Sequence, residues 1–273
     1  MTVKKEASGR RSVQVEVEVP GTPEQVWEAI ATGPGISAWF VPSEVEGRVG
    51  GAVVSHFGPG MDAKATVTVW EAPHRFVAEG EAMGPNAPSI ATEWIVEARS
   101  GDTCVVRVVH SLFASTDDWD DQLNSIEAGW PGFFRILRLY LAHFRGQPCS
   151  ILSLMGTSPE ALAEAWEKLT GPLGLANAAQ GQRTSALPEA PPLAGSVESV
   201  ETNPQIRGLV LRIDSPALGV ATLGAFPMGE QVQIVVQLYL YGEQAPAAVA
   251  RAEPAWRAWM NSRFPMIMGG LAC

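Results

Sequence analysis

The stretch Ser12-Val-Gln-Val-Glu-Val-Glu-Val19, running straight into Pro20-Gly-Thr-Pro-Glu-Gln-Val-Trp27, decides how the chain is read. Val13, Val15, Val17 and Val19 alternate with polar residues, the period of a strand with one face buried and one face wet. Pro20-Gly21 stops that strand. Thr22 then offers an N-cap, Pro23 the first helical position and Gln25 the return half of a capping box, so a helix begins within two residues of the strand's end. Val26, Trp27 and Ile30 give it an apolar side, and Gly33-Pro34-Gly35 ends it before a turn carrying Trp39 and Phe40.

Downstream, short alternating runs near residues 44–47, 51–57, 62–71, 74–80, 89–99 and 102–113 are separated by tight-turn residues. The joints are Gly50-Gly51, Gly58-Pro59-Gly60, Ala72-Pro73, Gly84-Pro85-Asn86 and Ser100-Gly101-Asp102. Strands with tight turns and no intervening helix predict an antiparallel meander. After Ser115-Thr116 the period becomes 3.6. Ile126, Trp130, Phe133, Leu137, Leu141 and Phe144 form one stripe of a long helix, and the meander is the surface large enough to receive it.

The second half repeats this order in shorter form. A strand at Ile151–Met155 leads to Ser158-Pro159-Glu160, the same helix-start pattern as Thr22-Pro23-Glu24. A loose, Ala/Pro-rich loop spans 176–195. Strands follow near 196–202, 205–213, 217–226 and 230–241, before a closing helix with Val249, Trp256, Trp259, Met260 and Phe264. The repeated order predicts an internal duplication, with domains at 1–147 and 148–273.

Composition limits the function. Nineteen Lys and Arg stand against 29 Asp and Glu, a net charge of −10. That disfavours nucleic acid or an anionic membrane surface as the main partner. No apolar run is long enough to span a bilayer, and the basic start, Met1–Arg11, lacks the apolar segment of a signal peptide, so a cytoplasmic protein is expected. Cys104, Cys149 and Cys273 are too scattered for a disulfide framework or a metal knuckle. The four histidines have no ligand spacing, so no metal is expected. No phosphate loop, dinucleotide fingerprint or nucleophile elbow occurs, and no cofactor is expected. Asp117-Asp118-Trp119-Asp120-Asp121 lacks the spacing and central Gly of a calcium loop. It is read as acids at a helix N-terminus, capped by Ser115 or Thr116.

Several segments together resemble one family. They are Val17-Glu-Val-Pro20 leading into Thr22–Trp27, Ile36-Ser-Ala-Trp-Phe40, Gly50-Gly51 before a strand, and Gly129-Trp130 followed by Leu137 and Leu141. Over residues 12–146 the chain resembles the START/Bet v 1-like (SRPBCC) superfamily, in the bacterial branch related to the C-terminal domain of the heat-shock protein 90 ATPase activator. The second half resembles the same superfamily by element order. The resemblance implies an α+β helix-grip fold, a curved antiparallel sheet around a long C-terminal helix, in two tandem copies. It further implies an apolar cavity that receives a small hydrophobic molecule. In some members the cavity is that of a cyclase or aromatase, and a chaperone or other protein partner is a third possibility.

Alternation places Phe57, Phe76 and Trp94 on the apolar face of the sheet, opposite Trp130, Phe133 and Leu137 on the helix. These are the candidate ligand-binding residues, with Trp39 and Phe40 at the mouth, although buried aromatics more often simply pack. His110 shares its strand face with Cys104, Val106, Val108 and Leu112. It is a ligand-orienting group or a candidate acid/base, against the plainer reading of a hydrogen-bonded core histidine.

Overall fold

In the computed structural model, residues 3–58, 60–82, 87–114, 116–202 and 204–265 are described. The turn at Gly84–Asn86, the cap residue Ser115 and Cys273 lie outside them. The chain divides into two compact units, Met1–Gly146 and Gln147–Cys273.

The N-terminal unit runs β1 (Lys4–Lys5), β2 (Arg10–Pro20), α1 (Pro23–Ala31), α2 (Gly33–Ser37), β3 (Ser43–Val45), β4 (Ala52–His56), β5 (Asp62–Glu71), β6 (Arg75–Gly80), β7 (Ala91–Arg99), β8 (Thr103–Phe113) and α3 (Asp120–Leu139). A π-helical turn, Tyr140–Phe144, extends α3. All strands join one antiparallel sheet of order β1-β2-β8-β7-β6-β5-β4-β3. First and last long strands are therefore neighbours, and the meander folds back on its own start.

Register follows from the alternation. Val13, Val15, Val17 and Val19 stand opposite His110, Val108, Val106 and Cys104. One residue's slip would turn that whole apolar row to solvent. At the end of β2, Thr22 Oγ1 accepts from the Gln25 amide while the Gln25 side chain accepts from the Thr22 amide, completing the expected capping box. The same Gln25 oxygen accepts from Arg145 Nη1 at 2.6 Å. The start of α1 is thereby tied to the end of the long helix.

Gly50-Gly51 has a steric cause. Gly50 adopts φ +78°, and a Cβ on Gly51 would stand 2.2 Å from the Glu46 carbonyl oxygen. With that space free, Gly50 N–H donates to Val67 O and Val67 N–H to Gly51 O, both at 2.8 Å. A bulge between Val67 and Val69 then shifts the phase of β5, so that Trp70 pairs with Phe76. Simple alternation assigns Trp70 to the other face from Val67. The extra residue brings it inward.

Helix α3 lies against the sheet with Leu123, Trp130, Phe134, Ile136, Leu137 and Leu139 buried. Each such side chain contributes roughly 1.5–3 kcal/mol by leaving water. Phe134 rather than Phe133 is the fully covered ring, and Phe133 is half-buried. The π turn adds a residue to the helical period and keeps Tyr140, Leu141 and Phe144 buried beyond it.

The start of α3 departs from the expectation of a capped, solvated acidic end. Trp119 occupies the N-cap without a side-chain cap, and Thr116 Oγ1 donates to Asp118 instead. Asp117 and Asp120 are held by strand residues. Arg11 donates to Asp117 at 2.7 Å and to Asp120 at 2.6 Å, while Lys5 Nζ lies 3.0 and 2.9 Å from the same carboxylates. Sequence separation of over 100 residues hides this clamp from any local reading.

The C-terminal unit comprises β9 (Cys149–Ser158), α4 (Leu162–Thr170), β10 (Arg183–Ser185), β11 (Ala194–Thr202), β12 (Arg207–Ser215), β13 (Gly219–Met228), β14 (Gln231–Tyr241) and α5 (Ala245–Arg263). Its antiparallel sheet has order β10-β11-β12-β13-β14-β9, and α5 closes the unit by packing chiefly on β9. First and last strands are again neighbours, so both units share the helix-grip plan. Ser158 does not start α4. It ends β9, its hydroxyl bonds the Glu160 carboxylate, and the helix begins at Leu162 without a side-chain cap. Among the described residues no helix is long and apolar enough to cross a membrane.

The clamp sets an acid sensitivity. Lys5, followed by Arg11, holds the Asp117 carboxyl below its ordinary value, and Lys5 is also the main cause at Asp120. Groups depressed by folding stabilise above the ordinary carboxylate range and lose that contribution as pH falls through the depressed folded value. Amide exchange over residues 116–124 should therefore accelerate in acid before the sheet does. Arg11→Ala should produce that fast exchange already at neutral pH.

Candidate functional site

Between α3 and the sheet lies a continuous set of aromatic rings. From the sheet come Phe76 and Trp94, stacked at 6.2 Å, because they are direct cross-strand partners on β6 and β7. Trp27 of α1 meets Trp70 edge-on at 5.0 Å and Phe76 at 5.6 Å. Trp39 is fully buried and donates its indole N–H to Ala29 O at 2.8 Å. It also meets Trp94 edge-on at 6.1 Å. Sequence reasoning passed over Trp27, Trp70 and Phe134. The one available signal was the helical face that Trp27 shares with Ile30.

Trp130 is the centre. Its ring meets Trp94 edge-on at 5.2 Å, Phe134 at 5.3 Å and Phe40 in a stack at 5.4 Å. Phe40 in turn meets Phe133 edge-on at 4.6 Å and Phe57 at 5.7 Å. The chain of rings thus runs from a sealed base at Phe76, Trp94 and Trp130 to Phe40 and Phe133, which are half-buried. It ends at Phe57, 45% exposed just beyond β4. Leu137 is fully buried beneath the helix. Trp39, expected at the mouth, is instead part of the sealed base, because α2 turns its ring inward. Trp130 and Trp94 bury the largest apolar area, and their edge-to-face geometry adds to it.

His110 closes this set on the sheet side. Its Nε2 accepts the Trp130 indole N–H at 2.7 Å. Indole nitrogen can only donate, so Nε2 carries no proton. The proton resides on Nδ1, which donates to Thr92 Oγ1 at 3.1 Å. His110 stands across from Thr92 on β7 and Val13 on β2, so strand register delivers this partner. Burial pushes the imidazole down from 6.5 to about 4. Near neutrality it is a neutral ring with both nitrogens engaged, fixing the plane and height of Trp130. His56 lies elsewhere, at the surface, with Nδ1 2.9 Å from Asp62.

The opposite, polar face of the same sheet carries a groove of about 420 Å³ with Val109 and Ile95 in its floor and Arg107 and Glu93 beside them. Arg107 is held by Glu16 and Glu97 at 3.2 and 3.0 Å. None of the aromatic residues lines that groove. Among the described residues, no group of three His, Cys, Asp or Glu is placed to hold a metal ion.

With this geometry in view, comparison with known proteins assigns the N-terminal unit. Residues 20–142 match the family described as activator of Hsp90 ATPase homolog 1-like protein. That segment belongs to the family. No curated protein matches the chain. Similar solved structures include CalU16 from Micromonospora echinospora, at 18% identity over 52% of this chain and 83% of that one, TM-score 0.41. The Aha1 dimer from Colwellia psychrerythraea has 19% identity over 50% and 98%, TM-score 0.41. The di-domain ARO/CYC BexL from the BE-7585A biosynthetic pathway has 11% identity over 93% and 98%, TM-score 0.45.

The His110 assignment has a pH consequence. A folded value below the unfolded one gives stability that is complete above about 6.5 and is lost as pH falls from there toward 4. The span corresponds to about 3 kcal/mol. Urea unfolding followed by tryptophan fluorescence should show this slope in the wild type. His110→Gln, which keeps an acceptor for Trp130, should flatten it. His110→Ala should cost about 1–3 kcal/mol at pH 7 by stranding the indole N–H.

Proposed function

We propose that the N-terminal unit binds a small, flat hydrophobic molecule at the outer end of its aromatic chain, against Trp130, Phe133, Phe40 and Phe57. The observation that carries this reading is the graded exposure of one connected ring set, sealed at Trp94 and open at Phe57. A fully buried cluster would serve packing alone, whereas partly exposed rings on a rigid base offer stacking surface to a ligand. Phe40 now lies flat against Trp130, in the position a ligand ring would take. Binding therefore moves Phe40 aside, and the affinity is reduced by the cost of that opening. Trp94 and Phe76 support the site from beneath, and His110 orients Trp130. Leu137 anchors the helix.

In this reading His110 positions a binding surface and performs no proton transfer, since both of its nitrogens are engaged. The matching family's name speaks of activating a chaperone ATPase. A protein partner is the outcome to consider if flat ligands fail.

Phe40→Ala separates binding from packing. The variant should lose roughly 1–3 kcal/mol of stability, less than a fully buried Phe→Ala change. It should bind 8-anilinonaphthalene-1-sulfonate more tightly than the wild type, since the opening is already made. Across a panel of polycyclic aromatics, a ligand at 100 times its dissociation constant raises stability by about 2.7 kcal/mol, readable as a thermal shift. If neither protein responds to any flat aromatic, the reading fails.

A further inference from the structure

The two units treat their buried tryptophans differently. In the N-terminal unit the indole N–H groups of Trp39 and Trp130 each have an acceptor, Ala29 O and His110 Nε2. In the C-terminal unit Trp256 is fully buried and Trp259 is 8% exposed, their rings 5.8 Å apart at 78° on one face of α5. Neither indole N–H has a partner among the described residues, and neither has the buried Nε of Arg263. The Arg263 guanidinium lies 5.0 Å over the Trp259 ring, so the unpaired donors fall in one patch at the end of the helix.

What surrounds the two indoles is apolar. They belong to a cluster with Leu152 and Leu154 of β9, Leu169 of α4, and Ile234 and Val236 of β14. Each buried unpaired donor costs about 1–3 kcal/mol, so three in one patch call for an acceptor. Water fits poorly. Its oxygen could accept from two donors, but its own hydrogens would have no acceptor among Leu, Ile and Val. An oxygen that only accepts satisfies the set, and a guanidinium beside it favours one carrying negative charge. The rest of such a molecule must be apolar to share this cluster.

We infer that the C-terminal unit binds an apolar carboxylate, its oxygens on Trp256, Trp259 and Arg263 and its hydrocarbon part in the surrounding core. This second site is independent of the aromatic surface in the N-terminal unit.

The test uses the full chain and sodium decanoate kept below micelle formation. The nine tryptophans give nine indole N–H signals in a ¹⁵N–¹H spectrum, and Trp256→Phe and Trp259→Phe assign the two that matter. Decanoate should move both saturably downfield. Each Phe variant, which keeps the ring and deletes the donor, should weaken decanoate about tenfold, the effect of one hydrogen bond. Arg263→Gln should weaken decanoate while leaving 1-decanol unchanged, and 1-decanol should bind the wild type at least tenfold less tightly. Unmoved Trp256 and Trp259 signals overturn the inference. So does 1-decanol matching decanoate, or an ordered water found on these indoles in the ligand-free protein. Shifts confined to Trp39, Trp94 and Trp130 overturn it as well, by moving decanoate to the N-terminal unit.

Discussion

A single hydrogen bond, from the Trp130 indole to His110 Nε2 at 2.7 Å, joins the long helix to the middle of the N-terminal sheet. Apolar burial alone would let α3 slide or rotate by a fraction of a turn, because dispersion and hydrophobic contacts are weakly directional. The bond removes that freedom. It requires the strand register that puts His110 beside Thr92, and it fixes the ring on which Phe40 stacks. Sheet register, helix rotation and the shape of the aromatic surface are thus one constraint.

Around that link the unit is closed at both ends of α3 by charge and amide contacts. Lys5 and Arg11 secure its beginning through Asp117 and Asp120. At its far end, Arg145 reaches the Gln25 side chain that also caps α1. These contacts are partly exposed, so they fix position more than they add stability. The aromatic rings between them supply the burial. This division leaves the outer rings, Phe40, Phe133 and Phe57, as the part of the interior least tied down.

How far the sequence foretold this depends on whether the deciding contact was local. The alternation of Val13 to Val19, the Thr22–Gln25 capping box and the Gly50-Gly51 turn are written within a few residues, and the fold follows from them. Trp94, Phe76 and Trp130 were legible as site candidates because alternation and helical spacing give their faces. Trp70 was not, since the bulge at Val67/Val69 changes the phase that alternation assumes. Ser158 resembled Thr22 in pattern, yet strand pairing with Val232 carried β9 through it. The engagement of His110 and the Arg11 clamp depend on partners 20 and more than 100 residues away, which no periodicity encodes. The same holds for the missing acceptors at Trp256 and Trp259.

The π turn at Tyr140–Phe144 bears on how this helix can change over evolutionary time. A wider turn holds one residue more than regular winding needs, as if a single codon had been inserted and tolerated. Removing one residue there would restore ordinary winding and rotate everything downstream by about 100°. Arg145 would then face away from Gln25, while Trp130 and its neighbours upstream would stay where they are. The tip of the helix is therefore a place where lineages can drift in length without disturbing the ring surface, provided that another residue takes over the attachment to α1.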